Sequence, residues 1–208
     1  QSGDDDILKR MNRRYSSAAY LEKLARLRQV CPDIAVTSDF IVGFPGETDR
    51  QFQRTLELIE TVRYDGLFAF MYSDRPNAPA AKFSGKVSES VKKERLQALL
   101  DLHQTITREK HEAMVGRVRT VLVEGPSRGL GDSAGAGGNP NIRWSGRASS
   151  NHIIHFSAVD AHSTNKEILT GEFADIMIEG AYAHSLWGRR VQGSMGAEPQ
   201  KGEPDFAA

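Results

Sequence analysis

The stretch TSDFIVGFPGET, residues 37–48, joins a β-rich apolar run to a Gly-Phe-Pro-Gly turn and a helix-start signal. Phe40, Ile41 and Val42 predict a strand that is buried on both faces, as strands of parallel sheets are. The two glycines of the turn remove side chains where the backbone must bend or approach a ligand closely. The proline between them fixes one backbone dihedral angle.

A helix is predicted to begin directly after this turn. Thr48, with Gln51 three residues later, has the sequence pattern of a capping box. The segment therefore predicts a strand, a tight turn and a helix, with the turn at the carboxyl end of the strand. Because ligands of α/β folds bind at that end, the turn is the first candidate for a binding site.

Composition limits what the chain can be. Its 208 residues allow one large domain or two small ones, and a hydrophobic fraction of 39% supports real cores. A net charge of zero gives no global attraction to nucleic acid or to a membrane. The one cysteine, Cys31, excludes an internal disulfide framework, and its helical spacing with apolar residues predicts a core position.

No targeting or membrane segment is evident in the sequence. Apolar runs all fall short of the roughly 20 residues that span a bilayer. The chain opens with QSGDDD, which lacks an initiator Met and is polar where a secretory signal would be apolar. We expect a fragment of a longer protein, located in the cytoplasm and without a membrane partner.

The first half of the chain alternates between helical and strand periodicity. Amphipathic helices are predicted at 17–30, 48–63 and 88–114, and buried strands at 34–44 and 66–73. This alternation predicts parallel strands covered by helices. Since two strands cannot form a stable parallel sheet alone, a truncated domain is expected, prone to dimerise through its exposed strand edge.

After Gly116 the pattern changes to short strands divided by small turns. Five are predicted, at 117–124, 142–148, 152–157, 174–180 and 182–190. They suggest a compact antiparallel β-barrel, with a flexible Gly-rich loop at 128–141 and a disordered tail at 194–208.

Several blocks, in this order, resemble radical S-adenosylmethionine methylthiotransferases over residues 1 to about 193. They are QSGDDDILKRMNRRY, TSDFIVGFPGET, YSDRPNAPAA and the barrel segments VLVEGPS, WSGRASSNHIIHF and SLWGRRV. The resemblance implies an α/β partial radical-SAM (β/α) barrel at 1–111, followed at 112–193 by an all-β, OB-like TRAM barrel that binds RNA.

The resemblance also implies an activity for the parent protein. Members of the tRNA-modifying branch add a methylthio group to C2 of N6-isopentenyladenosine next to the anticodon. They use S-adenosyl-L-methionine and two 4Fe-4S clusters, each held by three cysteines. Because Cys31 has no partner thiolate, this fragment should be catalytically inert and colourless after reconstitution with iron and sulfide.

By resemblance, this chain keeps the other half of the S-adenosylmethionine site. Asp39 and Glu47 depart from the broader Gly-x-Ile-x-Gly-x-x-Glu pattern of radical enzymes, so the role of Glu47 stays open. Either Arg14 or Arg13 is the candidate for the cofactor carboxylate, with Arg14 preferred. The cofactor-binding candidates are Gln1, Ser2, Arg14, Ile41, Val42 and Gly43.

The TRAM resemblance assigns the closing barrel to tRNA binding. Basic residues concentrate in 117–155, which suggests contacts on the first three strands, although an ordinary solvated surface would explain them equally well. Trp144 is either a stacking surface for a base or a core residue and is left out of the site. The RNA-binding candidates are Arg143, Arg147, Asn151 and His152.

Two alternatives remain open at this stage. The ribosomal-protein branch of the family shares everything but the substrate, and Arg75 favours the tRNA branch over it. A non-enzymatic RNA-binding module is also possible, although a mere linker would not need the FIVGFPGET turn.

Overall fold

A computed structural model describes residues 1–127, 144–157 and 170–191. The chain forms two compact units, Gln1–Lys110 and His111–Ala208. The Gly-rich loop at 128–141 and the tail at 194–208 lie outside the described residues. None of the helices within the described ranges is long and apolar enough to cross a membrane.

The first unit alternates helices with two parallel strands. The strands β1 and β2 pair in parallel, with Thr37 opposite Gly66 and Val42 opposite Met71. The elements are α1 (Asp5–Arg10), α2 (Ser17–Val30), β1 (Thr37–Val42), α3 (Asp49–Val62), β2 (Gly66–Met71), a 3₁₀ turn (Pro79–Lys82) and α4 (Glu89–Glu112), whose last two residues belong to the second unit. The predicted capping box of α3 is confirmed, because both reciprocal Thr48–Gln51 hydrogen bonds are present.

The helices of this unit cover one face of the two-stranded sheet. Phe40 and Val42 of β1 pack into a core with residues of α2, α3 and α4, including Ile59 and Leu99. The opposite face carries Ile41, Phe68 and Phe70, and we call these three residues the open face. Phe68 is 63% exposed and Phe70 is 55% exposed. Within the described residues β2 pairs with β1 alone, and the dimer through such an edge stays a prediction.

The helix α1 was not predicted, and a buried aspartate explains it. The Asp4 side chain accepts hydrogen bonds from the backbone N–H groups of Asp6 and Ile7, which caps the helix. It also accepts hydrogen bonds from Gln51 at 3.0 Å and Arg54 at 2.5 Å. These contacts fasten the first ten residues to α3.

The position of Cys31 corrects the expectation of a core residue. Helix α2 ends at Val30, so Cys31 is its C-cap and leaves the helical periodicity on which the expectation depended. Its backbone N–H still donates to the Leu27 carbonyl at 2.8 Å, while its side chain is exposed.

The second unit contains a closed barrel of five strands in the order β3-β4-β5-β7-β6. The expectation of an all-antiparallel barrel was wrong, because β5 and β7 pair in parallel, with Ile154 opposite Leu186. The chain reverses direction at β6 and again at β7, so β7 runs the same way as β5. The strands are β3 (Val118–Pro126), β4 (Trp144–Ala148), β5 (Ile153–Ser157), β6 (Phe173–Ala181) and β7 (Leu186–Arg190).

The barrel encloses its own hydrophobic core, which includes Val121, Phe156 and Ile176. Trp144 is half-buried and packs against this core, and its role as a stacking surface stays a prediction.

Candidate functional site

The Gly-Phe-Pro-Gly turn after β1 has a backbone that favours glycine at two positions. Gly43 has φ +70° and Gly46 has φ +79°, both in the left-handed region. A Cβ atom added to Gly43 would lie 2.4 Å from Cγ of Lys92. The N–H of Gly46 donates to the Gly85 carbonyl at 2.6 Å, which ties the turn to a second segment.

A buried ion pair stabilises this turn from within. Glu47 Oε1 accepts the Gly43 N–H at 3.2 Å and an Arg95 guanidinium nitrogen at 2.9 Å. Burial raises the pKa of Glu47, and the Gly43 and Arg95 contacts oppose that rise. Glu47, whose role the motif left open, therefore holds the turn in place.

Arg95 extends this clamp to the start of α3. It also donates to the Glu47 carbonyl at 3.2 Å and to Asp49 at 2.7 Å. Sequence reasoning missed Arg95, which lies on α4 among other charged residues and shows no signal of its own.

Two predicted cofactor residues are adjacent in the structure. The Ile41 N–H donates to the Gln1 carbonyl at 3.1 Å, so Gln1 lies along the free side of β1. The Gln1 side chain accepts a hydrogen bond from the Tyr15 hydroxyl at 2.7 Å. Together these contacts fix Gln1 between the Ile41 backbone and the Tyr15 hydroxyl.

The other cofactor candidates have different surroundings. The Ser2 side chain is buried and lies 3.4 Å from the Thr55 hydroxyl, and the Val42 side chain belongs to the core. The Gly43 N–H already donates to Glu47. Arg14 and Arg13 are both exposed. Burial lowers the pKa of the Gln1 amino group to about 6, and the positive charge of Arg13 contributes to this shift. Arg13 is thus near Gln1.

Three of the predicted RNA residues lie at the connection between β4 and β5. An Arg147 guanidinium nitrogen donates to Asn151 Oδ1 at 3.0 Å, and Arg147 Nε donates to Glu124 at 3.1 Å. His152 Nδ1 lies 2.7 Å from the Ser150 hydroxyl. Arg143 lies outside the described residues.

A residue that the sequence did not indicate supports this connection. The buried His111 ring lies 5.2 Å from the His152 ring, measured between centroids, in an edge-to-face arrangement. His111 Nδ1 is 3.2 Å from the Tyr182 carbonyl oxygen. His111 therefore helps to position the segment that carries Asn151 and His152.

Both units of this chain align with known proteins. A family model of the radical SAM superfamily matches residues 1–59. The tRNA-2-methylthio-N(6)-dimethylallyladenosine synthase of Desulfosudis oleivorans is 48% identical over 191 residues, 92% of this chain and 41% of that protein. The resemblance to the methylthiotransferases is confirmed.

Further methylthiotransferase relatives give the same picture. The synthases of the same name from Syntrophus aciditrophicus and Syntrophobacter fumaroxidans are 46% and 47% identical, over 92% and 90% of this chain. Each alignment covers 38% of the relative. The chain thus spans about two fifths of the length of the relatives it matches.

The residues of this chain fit S-adenosylmethionine but do not fit an iron–sulfur cluster. A cluster needs three thiolates, and the chain has one cysteine, which lies exposed at a helix end. No group of His, Cys, Asp or Glu in the described ranges could hold a metal ion. By contrast, the half-buried Ile41 side chain and the polar side chain of Gln1 are compatible with an adenosyl amino acid, which needs both apolar and polar contacts.

A histidine in the barrel predicts a pH dependence of barrel stability. His155 Nδ1 lies 2.9 Å from the Ser127 hydroxyl, and burial lowers the pKa of His155 from its ordinary 6.5. The His155 imidazole therefore binds a proton more tightly in the unfolded chain than in the folded barrel. The stability contributed by neutral His155 is present above pH 6.5 and is lost as the pH falls through the folded-state pKa.

Urea denaturation at several pH values checks this expectation. Between about pH 8 and about pH 5, the unsubstituted chain should lose more unfolding free energy than His155→Gln. His184→Gln, at an exposed position, is the matched control and should keep the pH dependence of the unsubstituted chain. Equal losses for the unsubstituted chain and His155→Gln would contradict the assignment.

Proposed function

We propose that this chain is the C-terminal part of a radical S-adenosylmethionine tRNA methylthiotransferase. The parent enzyme would add a methylthio group to C2 of N6-isopentenyladenosine, which the relatives' names call dimethylallyladenosine, next to the anticodon. The observation that carries the proposal is the 48% identity to such a synthase across both structural units. The proposed location is the cytoplasm.

The first unit would supply part of the S-adenosylmethionine site, within a radical-SAM domain assigned to residues 1–111. When bound beside a cluster held elsewhere in the parent, S-adenosylmethionine supplies the radical chemistry that removes hydrogen from C2 of the adenine. Ile41 would pack against the adenosyl group, and Gln1 would orient its polar atoms. Arg14 or Arg13 would bind the carboxylate. Ser2, Val42 and Gly43 would act through the backbone around these contacts.

The locked turn favours this proposal over a non-enzymatic RNA-binding module. Its two positive-φ glycines and its buried Glu47–Arg95 pair hold a rigid loop at the carboxyl end of β1. Glycines at such positions allow a ligand to approach the backbone closely, which suits a cofactor site. The ribosomal-protein alternative is separated by the substrate, because methylthio incorporation by the intact enzyme into tRNA rather than into ribosomal protein supports the proposal.

The second unit, at residues 112–193, would be the TRAM barrel. Its five strands and their closed order, with the third and fifth strands parallel, support an OB-like assignment, and OB-folds commonly bind oligonucleotides. The proposed contacts are Arg143, Arg147, Asn151 and His152. Arg147 keeps a neighbour of opposite charge in Glu124, so its binding to phosphate is expected to be modest.

Charge removal at the barrel tests the RNA assignment. Replacing Arg143 and Arg147 together by Ala should weaken binding to an anticodon stem–loop RNA and flatten its salt dependence, because two cations assigned to phosphate contacts are lost. Affinity is measured by fluorescence anisotropy over a series of salt concentrations.

The matched control is Lys23→Ala with Arg26→Ala, two exposed cations on α2. It removes the same charge and should bind RNA as the unsubstituted chain does. If the barrel variant binds as tightly as this control at low salt, the assigned surface is wrong.

A further inference from the structure

The segment after β2 is fastened to the turn after β1. We call residues 72–88 the rim loop. Its first residue, Tyr72, donates its N–H to the Val42 carbonyl at 2.9 Å, and the Gly85 carbonyl accepts from Gly46. The rings of Tyr72 and Phe83 lie 5.1 and 6.1 Å from the Phe44 ring. The rim loop therefore has a defined position at the carboxyl ends of both strands.

The rim loop carries a surplus of positive charge. It contains Arg75, Lys82 and Lys86 against a single acidic residue, Asp74. Asp74 is already paired with Lys86 and also accepts a hydrogen bond from the Tyr72 hydroxyl at 2.9 Å. Arg75 and Lys82 are both exposed, and neither forms an ion pair within the described part of the chain.

A third cation from α1 reaches the same place. The Arg10 guanidinium lies 5.6 Å from the centre of the Phe83 ring. Phe83 directly follows Lys82 in the sequence. It also borders the turn, since a Cβ atom added to Gly46 would lie 2.2 Å from an Arg10 nitrogen. Arg10 is exposed and, among the residues that the structure describes, has no carboxylate partner. We call Arg10, Arg75 and Lys82 the basic rim.

The basic rim is a local feature rather than a consequence of composition. The chain as a whole has 27 basic and 27 acidic residues. Two other cations close to the turn and the rim loop are paired, Lys86 with Asp74 and Lys92 with Glu89 at 2.7 Å. Three unpaired cations at the end of a sheet that carries a candidate site indicate a ligand with several negative charges.

We propose that the basic rim binds the sugar–phosphate backbone of RNA and forms a contact surface separate from the one assigned to the barrel. This inference rests on the proposed function, since a target base that enters the first unit brings its flanking phosphates to the carboxyl ends of the strands. The single carboxylate of S-adenosylmethionine does not account for three unpaired cations. Arg10 and Arg75 suit bidentate binding of phosphate oxygens, and Lys82 adds a point charge.

The experiment measures binding of the full chain to an anticodon stem–loop RNA across a series of salt concentrations. Replacing Arg75 and Lys82 together by Ala should weaken binding about tenfold at low salt and reduce the slope of log K against log salt by roughly 1.5, the loss of two phosphate contacts. Lys23→Ala with Arg26→Ala is again the control of equal charge and should leave both quantities unchanged. The charge-preserving exchange Arg75→Lys with Lys82→Arg should retain most of the affinity.

Each outcome has a defined meaning. If the rim variant binds as tightly as the unsubstituted chain, or if the α2 control weakens binding equally, the rim surface is refuted. If only the Arg143 and Arg147 variant weakens binding, the RNA role of the barrel stands and the rim inference alone fails. If the unsubstituted chain binds no RNA, the proposed RNA role of this chain fails together with the rim.

Discussion

Replacing Arg95 by Met should lower the free energy of unfolding of the first unit by about 3–5 kcal/mol. The Arg95 and Glu47 side chains are 7% and 3% exposed, and their charged atoms lie 2.9 Å apart. Removal of the guanidinium would leave the Glu47 carboxylate buried without its counter-charge. Glu47 would then have to be protonated, which weakens its acceptance of the Gly43 N–H, or drawn into water, which breaks that hydrogen bond.

Urea denaturation measures this loss, and two further variants make it specific. Arg63→Met breaks an exposed pair with Glu109, whose partners are 43% and 50% exposed, and should cost less than about 1 kcal/mol. Combining Arg95→Met with Glu47→Gln should cost less than Arg95→Met alone, because no charge is then left buried. If Arg95→Met costs no more than Arg63→Met, the pair does not hold the turn.

Replacing Gly188 by Val should open the barrel. A Cβ atom added to Gly188 would lie 2.0 Å from the Met177 carbonyl oxygen, a backbone atom of the neighbouring strand. Because Gly188 pairs with Ile178 of β6, the two strands must separate to make room. We expect a loss of about 3 kcal/mol or more in the unfolding free energy of the second unit.

Hydrogen exchange resolves this effect by strand. Protection should fall at β6 and β7 and stay unchanged at β1. Gly171→Asn is the matched control, because a Cβ atom there meets nothing within 4 Å and Asn tolerates the positive φ of that position. Full protection of β6 in Gly188→Val would show that the strands tolerate the added side chain.

The sequence made the turn and the alternation of elements predictable because both depend on local patterns. The capping box at Thr48 and the glycines of the turn act over a few residues. Arg95 could not be predicted, because its partner lies 48 residues away and its neighbours on α4 are ordinary surface charges. The burial of Asp4 could not be predicted either, because three consecutive aspartates suggest a solvated segment, whereas Asp4 is the buried N-cap of α1.

The barrel shows where local patterns stop being informative. Strand periodicity gave the five strands to within a few residues, but pairing between β5 and β7 depends on strands separated by β6. Likewise, Cys31 continues the helical spacing of the apolar residues in the sequence, but α2 ends at Val30 and the Cys31 side chain is exposed. Tertiary neighbours decide both outcomes.

Closure of the barrel has a consequence for how such a module spreads among proteins. A sheet whose last strand pairs with its first needs no strand from a neighbouring domain to complete its hydrogen bonds. A coding segment that begins near His111 can therefore be joined to unrelated enzymes without exposing an unpaired strand edge. The two-stranded sheet of the first unit is open by contrast, because β2 pairs with β1 alone among the described residues.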